Sequence, residues 1–146
     1  MIRVIAPAKI NLFLRICGKN NAGYHLLDSL VAFTEHGDYL NVYPADKDEL
    51  VLTGEFASTI NTPKKNNLVI RALNAFRQRG GCIGPVRIVL EKKIPAEAGL
   101  GGGSSDAAAL LLAINDQSKT PLSQYNLYDI GLQLGADVPV CLAGGC

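Results

Sequence analysis

The sequence predicts a single α+β domain, and three observations support this prediction. Segments with the two-residue alternation of strands and segments with helical spacing follow one another without a regular strand–helix–strand repeat. The chain has 146 residues, of which 48% are hydrophobic, and this is enough for one core. It contains no internal repeat, low-complexity tract or linker that would divide it.

The first half of the chain is predicted to be rich in strands. Apolar residues alternate with other side chains from Ile10 to Ile16, which predicts a strand on which Lys9 and Asn11 project from the same face. A lysine and an asparagine placed in this way are typical of a solvated face, and a functional pair is the alternative. A polar turn is predicted at 18–23. Further strand regions are predicted at 26–43, with an interruption at 36–38, at 49–53 and at 86–90.

Three helices are predicted in the second half of the chain. The first begins at Asn66-Asn67, where an asparagine acts as N-cap, and the second, 104–115, is apolar on nearly all sides and therefore central. The third opens at Pro121 and Ser123 and ends at Gly135, and Pro139 is expected to prevent continuation. This places Asp137 in a bend between a helix end and an extended segment, where a local cap and a general base are both open interpretations.

A glycine-rich turn leads directly into the second helix. It reads Pro95-Ala96-Glu97-Ala98-Gly99-Leu100-Gly101-Gly102-Gly103-Ser104-Ser105, with glycine at four of the five positions 99–103. Glycine allows another group to approach the backbone amides, and a helix N-terminus favours an anion. The two serines add hydroxyls for phosphate oxygens or a metal ion. A glycine turn capped by serine is the alternative, but it needs fewer glycines, so the segment predicts a cradle for nucleotide phosphates.

Two common phosphate motifs do not describe this turn. The Walker pattern requires Gly-Lys-Ser or Gly-Lys-Thr, and neither occurs in the chain. A dinucleotide fingerprint requires its first glycine directly after a strand, whereas six residues, 93–98, separate Gly99 from the segment 86–92. A nicotinamide site is therefore poorly supported.

Charge and composition exclude several classes of partner. A formal net charge of +1 provides no general attraction for nucleic acid or an anionic membrane, and no apolar run approaches the length of a bilayer span. A soluble cytoplasmic protein is expected. Lys92 and Lys93 either neutralise a polyphosphate or lie at a strand end in water. Free, buried thiols are expected at the four cysteines, which lack metal-site spacing: Cys17, Cys82, Cys141 and Cys146.

Three motifs, in the same order along the chain, resemble those of the GHMP kinases. They are Pro7-Ala8-Lys9-Ile10-Asn11-Leu12-Phe13-Leu14 followed by Gly23-Tyr24-His25, the glycine turn itself, and Gly135-Ala136-Asp137-Val138-Pro139. The resemblance implies a two-layer fold shared with ribosomal protein S5 domain 2. It also implies that residues 1–146 form the N-terminal, ATP-binding domain, and that such kinases continue into a second α/β domain absent from this chain.

The same resemblance implies a reaction and a role for each site residue. ATP would bind with its phosphates on residues Pro95 to Ser105, Mg²⁺ would bridge phosphate oxygens, and Asn66-Asn67 would border the adenine. Asp137 would act as general base and Lys9 would lie beside the transferred phosphate. The form of the motifs is similar to that of the branch in non-mevalonate isoprenoid biosynthesis, whose acceptor is the 2-hydroxyl of cytidine diphosphate-methylerythritol. Three residues would hold that substrate: Asn11, Tyr24 and His25.

Two further expectations concern the chain as a whole. Apolar surface that a second domain would cover is expected to favour a homo-oligomer. The alternative to a kinase is a nucleotide-binding module without turnover, although such a module has no need of an acceptor site.

Overall fold

A four-stranded sheet of order β1-β2-β4-β3 forms one layer of the computed structural model, which describes residues 1–19, 25–96 and 98–144. β1 (Ile2–Lys19) and β2 (His25–Pro44) form a long antiparallel hairpin. β2 also pairs antiparallel with β4 (Val86–Glu91), and β3 (Glu49–Thr53) pairs parallel with β4. The predicted positions of β3 and β4 are therefore confirmed, to within one residue.

Four helices among the described residues form the second layer. They are α1 (Leu68–Gln78), α2 (Gly102–Asp116), α3 (Gln124–Leu134) and α4 (Val138–Gly144). α2 packs on β1 and β2 and also contacts the three other helices, so it is the central helix, as predicted. The α+β prediction is confirmed. Among the residues that the structure describes, no helix has the length and hydrophobicity that a bilayer crossing requires.

The core lies between the sheet and the helices and follows the strand alternation. Leu40 of β2 pairs with Leu90 of β4, Val42 pairs with Ile88, and all four side chains are buried. Each fully buried side chain of this size contributes about 1.5–3 kcal/mol from the hydrophobic effect. From the helices, α1 contributes Val69, Ala72, Leu73 and Phe76, and α2 is buried over most of its circumference. This packing fixes where the glycine turn meets α2.

The predicted interruption at 36–38 does not end β2. Pro7 pairs with Gly37 and Lys9 pairs with Phe33, so residues 34–36 of β2 bulge opposite a single residue of β1. The bulge absorbs the extra residues and pairing resumes on both sides of it. A side chain at Gly37 would stand 2.2 Å from the carbonyl oxygen of Ala6, which explains the glycine.

The expectation of an extended segment after Asp137 is wrong, because α4 begins at Val138. Pro139 is the second residue of this helix. Proline is tolerated in a first turn, where its missing N–H has no intrahelical partner in any case. Proline therefore marks the start of a new helix here rather than the end of the old one.

The expectation of buried thiols holds for one of the described cysteines. Cys17 and Cys82 are exposed, whereas Cys141 is buried on α4. Cys146 lies outside the described residues.

Candidate active site

The glycine turn presents backbone amides at the N-terminus of α2. Gly99 and Gly101 have left-handed backbones, with φ of 73° and 64°. Gly101 is the N-cap, and its carbonyl accepts a hydrogen bond from the N–H of Ser105 at 2.8 Å. The N–H groups of residues 102–104 precede this first helical bond, and the N-cap, a glycine, has no side chain that could accept a hydrogen bond from them. These amides and the helix dipole together form a site for an anion.

A cavity of about 590 Å³ lies beside these amides, a volume typical of small-molecule sites. The glycine turn, residues 59–62 and 66–68, and also Lys92 and Asp106 line this cavity. Asn67 caps α1 by accepting a hydrogen bond from the N–H of Val69 at 3.0 Å, so the N-cap prediction is confirmed. Asn66 belongs to a 3-10 turn and lines the cavity. The N-terminus of α1 therefore faces the glycine turn.

Lys9 connects the glycine turn to β1. Its N–H donates a hydrogen bond to the carbonyl of Leu100 at 2.8 Å. A Cβ placed on Gly101 would lie 3.2 Å from both Cβ and Cε of Lys9, so the glycine allows the turn to pack on the lysine. The lysine is only 3% exposed. Its aliphatic stem is thus part of the support on which the turn rests.

The ammonium group of Lys9 joins two other predicted site residues. Its Nζ donates a hydrogen bond to Oδ1 of Asn11 at 3.0 Å and lies 3.5 Å from Oδ1 of Asp137. Asn11 also accepts a hydrogen bond from Oγ of Ser29. Asp137 directly precedes α4, its carbonyl accepts the N–H of Cys141, and its side chain is half-exposed. The structure thus brings Lys9, Asn11 and Asp137 together, although they are far apart in sequence.

Most of the other predicted site residues line the cavity beside the glycine turn. Ser105 is buried inside the first turn of α2 and does not line the cavity. His25 begins β2, with its backbone paired to Lys19, whereas Tyr24 and Glu97 lie outside the described residues. The remaining residues of the turn all line the cavity: Pro95, Ala96, Ala98, Gly99, Leu100, Gly101, Gly102, Gly103 and Ser104.

A buried charged cluster beneath the turn was not predicted. Nζ of Lys92 donates hydrogen bonds to Oδ2 of Asp38 and, at 2.8 Å, to Oδ2 of Asp106. All three residues are 3% exposed or less, so a position of Lys92 at a strand end in water is wrong. Lys93, in contrast, is exposed, with its ammonium 4.7 Å from the ring centre of Tyr39. The neighbouring lysines therefore have opposite environments.

The strand register contained the signal for this cluster. Buried residues alternate along β4 at 86, 88 and 90, and the next inward position is Lys92. On β2 the same inward series includes Leu40 and Val42, preceded by Asp38. Since Leu40 pairs with Leu90, continuing the antiparallel register by two residues sets Asp38 opposite Lys92. A charge of each sign at matched inward positions predicts a buried ion pair.

Burial and the attraction between opposite charges shift the pKa values of the cluster in opposite directions. Burial raises the pKa of Asp106 to about 8, even though the attraction of the Lys92 ammonium acts in the opposite direction. Burial lowers the pKa of Lys92, but the carboxylates of Asp106 and Asp38 outweigh it and hold that pKa above its ordinary value. Oδ1 of Asp106 has no hydrogen-bond partner among the described residues.

The described residues include no group of three or more His, Cys, Asp or Glu side chains placed to hold a metal ion. A metal at this site would therefore depend on oxygens that a ligand supplies. Mg²⁺ binds in this way in many nucleotide sites, through phosphate oxygens and water with few protein ligands.

Comparisons with known proteins agree with this geometry. The chain is 50% identical over 141 residues to the 4-diphosphocytidyl-2-C-methyl-D-erythritol kinase of Brucella abortus biovar 1, covering 96% of this chain and 47% of the relative. It is 45% identical over 139 residues to the protein of the same name from Shewanella halifaxensis, covering 95% of this chain and 48% of the relative. The chain thus spans about half the length of these curated relatives.

Solved structures share the fold. A crystal structure of 4-(cytidine 5'-diphospho)-2C-methyl-D-erythritol kinase superposes with a TM-score of 0.78 at 39% identity, covering 98% of this chain and 49% of that chain. The homoserine kinase of Cytophaga hutchinsonii superposes with a TM-score of 0.59 at 22% identity, covering 96% of this chain and 42% of that chain, which indicates the fold alone. The family described as the GHMP kinases N terminal domain matches residues 67–145, more than half of the chain. The chain belongs to the GHMP kinases.

Proposed function

We propose that this chain is the ATP-binding part of an enzyme that transfers the γ-phosphate of ATP to the 2-hydroxyl of 4-diphosphocytidyl-2-C-methyl-D-erythritol, in non-mevalonate isoprenoid biosynthesis. The names of the relatives support the substrate. The observation that carries the proposal is the position of Lys9, which contacts the glycine turn through its backbone and Asp137 through its ammonium.

The glycine turn fits the phosphates of ATP. The amides of residues 102–104 and the dipole of α2 would stabilise phosphate oxygens, and the missing side chains at Gly101 and Gly102 let the turn pack closely on Lys9 and Lys92. Ser104 lines the cavity and its hydroxyl would donate a further hydrogen bond, while residues 59–62 and 66–68, which line the same cavity, would enclose the base. Mg²⁺ held by the phosphate oxygens would neutralise part of their charge.

Lys9 and Asp137 would act on the reacting groups. Phosphoryl transfer requires positioning and charge stabilisation more than covalent chemistry. The half-exposed carboxylate of Asp137 would accept the proton of the attacking hydroxyl as general base, and the buried ammonium of Lys9 would offset the charge that develops on the phosphoryl group. Asn11 orients that ammonium through its hydrogen bond. Asn11, Tyr24 and His25 would bind the cytidine-bearing substrate.

Asp137→Asn tests this assignment in the full-length protein. The amide keeps the shape of the side chain but cannot take up the proton, so we expect turnover to fall by about 10²–10⁴-fold, with nucleotide affinity retained. ADP production from ATP, with and without the cytidine-bearing acceptor, is the measurement.

Asp116→Asn is the matched control, because Asp116 is an exposed aspartate at the end of α2. Unchanged turnover in Asp137→Asn would remove Asp137 from the base role. Nucleotide binding without acceptor-dependent ADP release by the wild-type protein would favour a module without turnover.

A further inference from the structure

The buried cluster of Lys92, Asp38 and Asp106 touches both ends of the glycine turn. At the entrance, Oδ1 of Asp38 accepts hydrogen bonds from the backbone N–H groups of Lys93 and Ile94, at 2.5 and 2.8 Å. These two residues directly precede Pro95, where the turn begins. β2 therefore holds the start of the turn through a single carboxylate.

The exit of the turn is held by the same cluster. Asp106 lies one helical turn beyond Gly102 on α2, and its Oδ2 accepts a hydrogen bond from Nζ of Lys92 at 2.8 Å. A Cβ on Gly102 would lie 3.5 Å from that Nζ and 3.6 Å from Oδ2 of Asp38, so the charged groups lie directly under the first residue of the helix. Lys92, which also binds Asp38, thus links the entrance of the turn to its exit.

The surroundings suggest that stability is not the main reason for these charges. The neighbouring core positions of β2 and β4 are Leu40 and Leu90, and apolar residues in place of a buried ion pair are often neutral or stabilising. Asp106 also has one buried carboxyl oxygen without a hydrogen-bond partner among the described residues, which is a cost to folding. A charged cluster kept at such a cost requires another explanation.

We infer that Lys92, Asp38 and Asp106 form a clamp that holds the two ends of the glycine turn in the conformation that binds nucleotide phosphates. The inference rests on the nucleotide site proposed above and assigns these three as positioning residues. A turn of glycines has many alternative conformations, and each of them lowers the population that is ready to bind. The clamp restricts the turn before the nucleotide arrives, so binding bears less of the ordering cost.

Asp106→Ala separates this role from a purely structural one. The substitution cuts the link from Lys92 to α2 but keeps the pair of Lys92 with Asp38, so each remaining charge is balanced. We expect the thermal midpoint to stay close to that of the wild type. If the competent population of the turn falls to about one tenth, the apparent Kd for a non-hydrolysable ATP analogue with Mg²⁺ rises about tenfold.

Two further variants complete the test, with titration calorimetry of the full-length protein as the measurement. Asp106→Asn, whose amide oxygen can accept the Lys92 hydrogen bond, should recover most of the lost affinity. Arg77→Met removes an ion pair with Asp48, far along the chain from the turn, and should lower the thermal midpoint without changing the affinity.

Unchanged affinity in folded Asp106→Ala would overturn the clamp, and so would a loss of affinity in Arg77→Met as large as that in Asp106→Ala. If Asp106→Ala does not fold, Asp106→Asn is the deciding variant: it retains the hydrogen-bond acceptor, so the clamp predicts an affinity close to that of the wild type, and a tenfold loss would overturn it. Failure of the wild type to bind the analogue would instead contradict the proposed nucleotide site.

Discussion

Gly101 occupies a position where a side chain meets two separate penalties. Its φ of 64° lies in the left-handed region, which costs about 1–2 kcal/mol for a residue with a Cβ. A Cβ there would also press on the stem of Lys9, at 3.2 Å from two of its carbons. Gly80 shares the first penalty, with φ of 92°, but a Cβ there would meet open space. The two glycines therefore form a matched pair.

We expect Gly80→Ala to lose about 1–2 kcal/mol of stability from its backbone conformation, and Gly101→Ala to lose at least as much, because its Cβ also contacts Lys9. Only Gly101→Ala should also weaken nucleotide binding, because the displaced lysine supports the turn. Chemical denaturation and calorimetry with an ATP analogue measure the two effects. Equal affinities in the two variants would show that the packing of the turn on Lys9 does not matter for binding.

At the residue scale, the sequence pointed to residues that lie together in the candidate site, but it did not point to the buried charges beneath the glycine turn. Lys9, Asn11 and Asp137 belong to recognisable motifs, and the structure brings them together. Asp38 and Lys92 belong to no motif, and their pairing depends on the register between β2 and β4, which requires the sheet to be aligned first. Single residues can be recognised locally, whereas a buried ion pair across strands cannot.

At the scale of elements, the carboxylate of Asp48 connects the loop after β2 to α1 and to β4. Asp48, which follows β2, accepts hydrogen bonds from Arg77 of α1 at 3.0 Å and from the N–H of Val86 of β4 at 3.0 Å. The guanidinium also donates to the carbonyls of Ile83 and Gly84. This arrangement anchors α1 beside β4 at the end of the sheet opposite the bulge.

The pH dependence of stability should report on Asp48. Its hydrogen bonds to Arg77 lower its pKa below the ordinary 3.8. A lowered pKa in the folded state means a contribution to stability that is complete above the unfolded value and is lost as the pH falls through the folded one. We expect Asp48→Asn to lower the thermal midpoint at neutral pH, with the difference from wild type shrinking below pH 3.8.

Arg77→Met is the partner control for this prediction, because removing either member removes the same interaction. Combining it with Asp48→Asn should lower the midpoint by less than the sum of the single effects. A constant difference between wild type and Asp48→Asn down to acid pH would contradict the assignment.

Element positions were predictable where local chemistry decides them. The N-cap at Asn67 and the apolar composition of α2 both depend on adjacent residues. α4 was missed because Pro139 is compatible either with the end of a helix or with its first turn, and packing of Val138 and Cys141 on the core decides between them.

At the scale of the molecule, the β1–β2 hairpin extends beyond the part of the sheet that carries the helices. β1 is an edge strand, and the far part of the hairpin exposes large apolar side chains. Leu12, Leu14 and Ile16 are 54–63% exposed. An edge strand with such side chains is a site for pairing with a second copy of the chain. The exposed apolar side chains in this far part of the hairpin include Ile10, Leu12, Phe13, Leu14, Ile16 and Leu30.

We expect this chain to self-associate through the hairpin. The double variant Leu12→Ser with Leu14→Ser should reduce that association. Light scattering coupled to size exclusion, over a concentration series, gives the mass. Leu132→Ser is the control, since Leu132 is equally exposed but lies on α3. A wild-type mass that stays monomeric throughout the series would contradict the prediction.

The double attachment of Lys9 has a consequence for how the proposed enzyme avoids wasting ATP. Its backbone N–H donates a hydrogen bond to the carbonyl of Leu100 and its ammonium lies beside Asp137, so one residue contacts both the glycine turn and the carboxylate. In the proposed enzyme, a shift of the glycine turn would move Lys9 and separate its ammonium from Asp137. Proton removal would then depend on the correct seating of the triphosphate, and a water molecule that enters a poorly seated complex would meet a misaligned base.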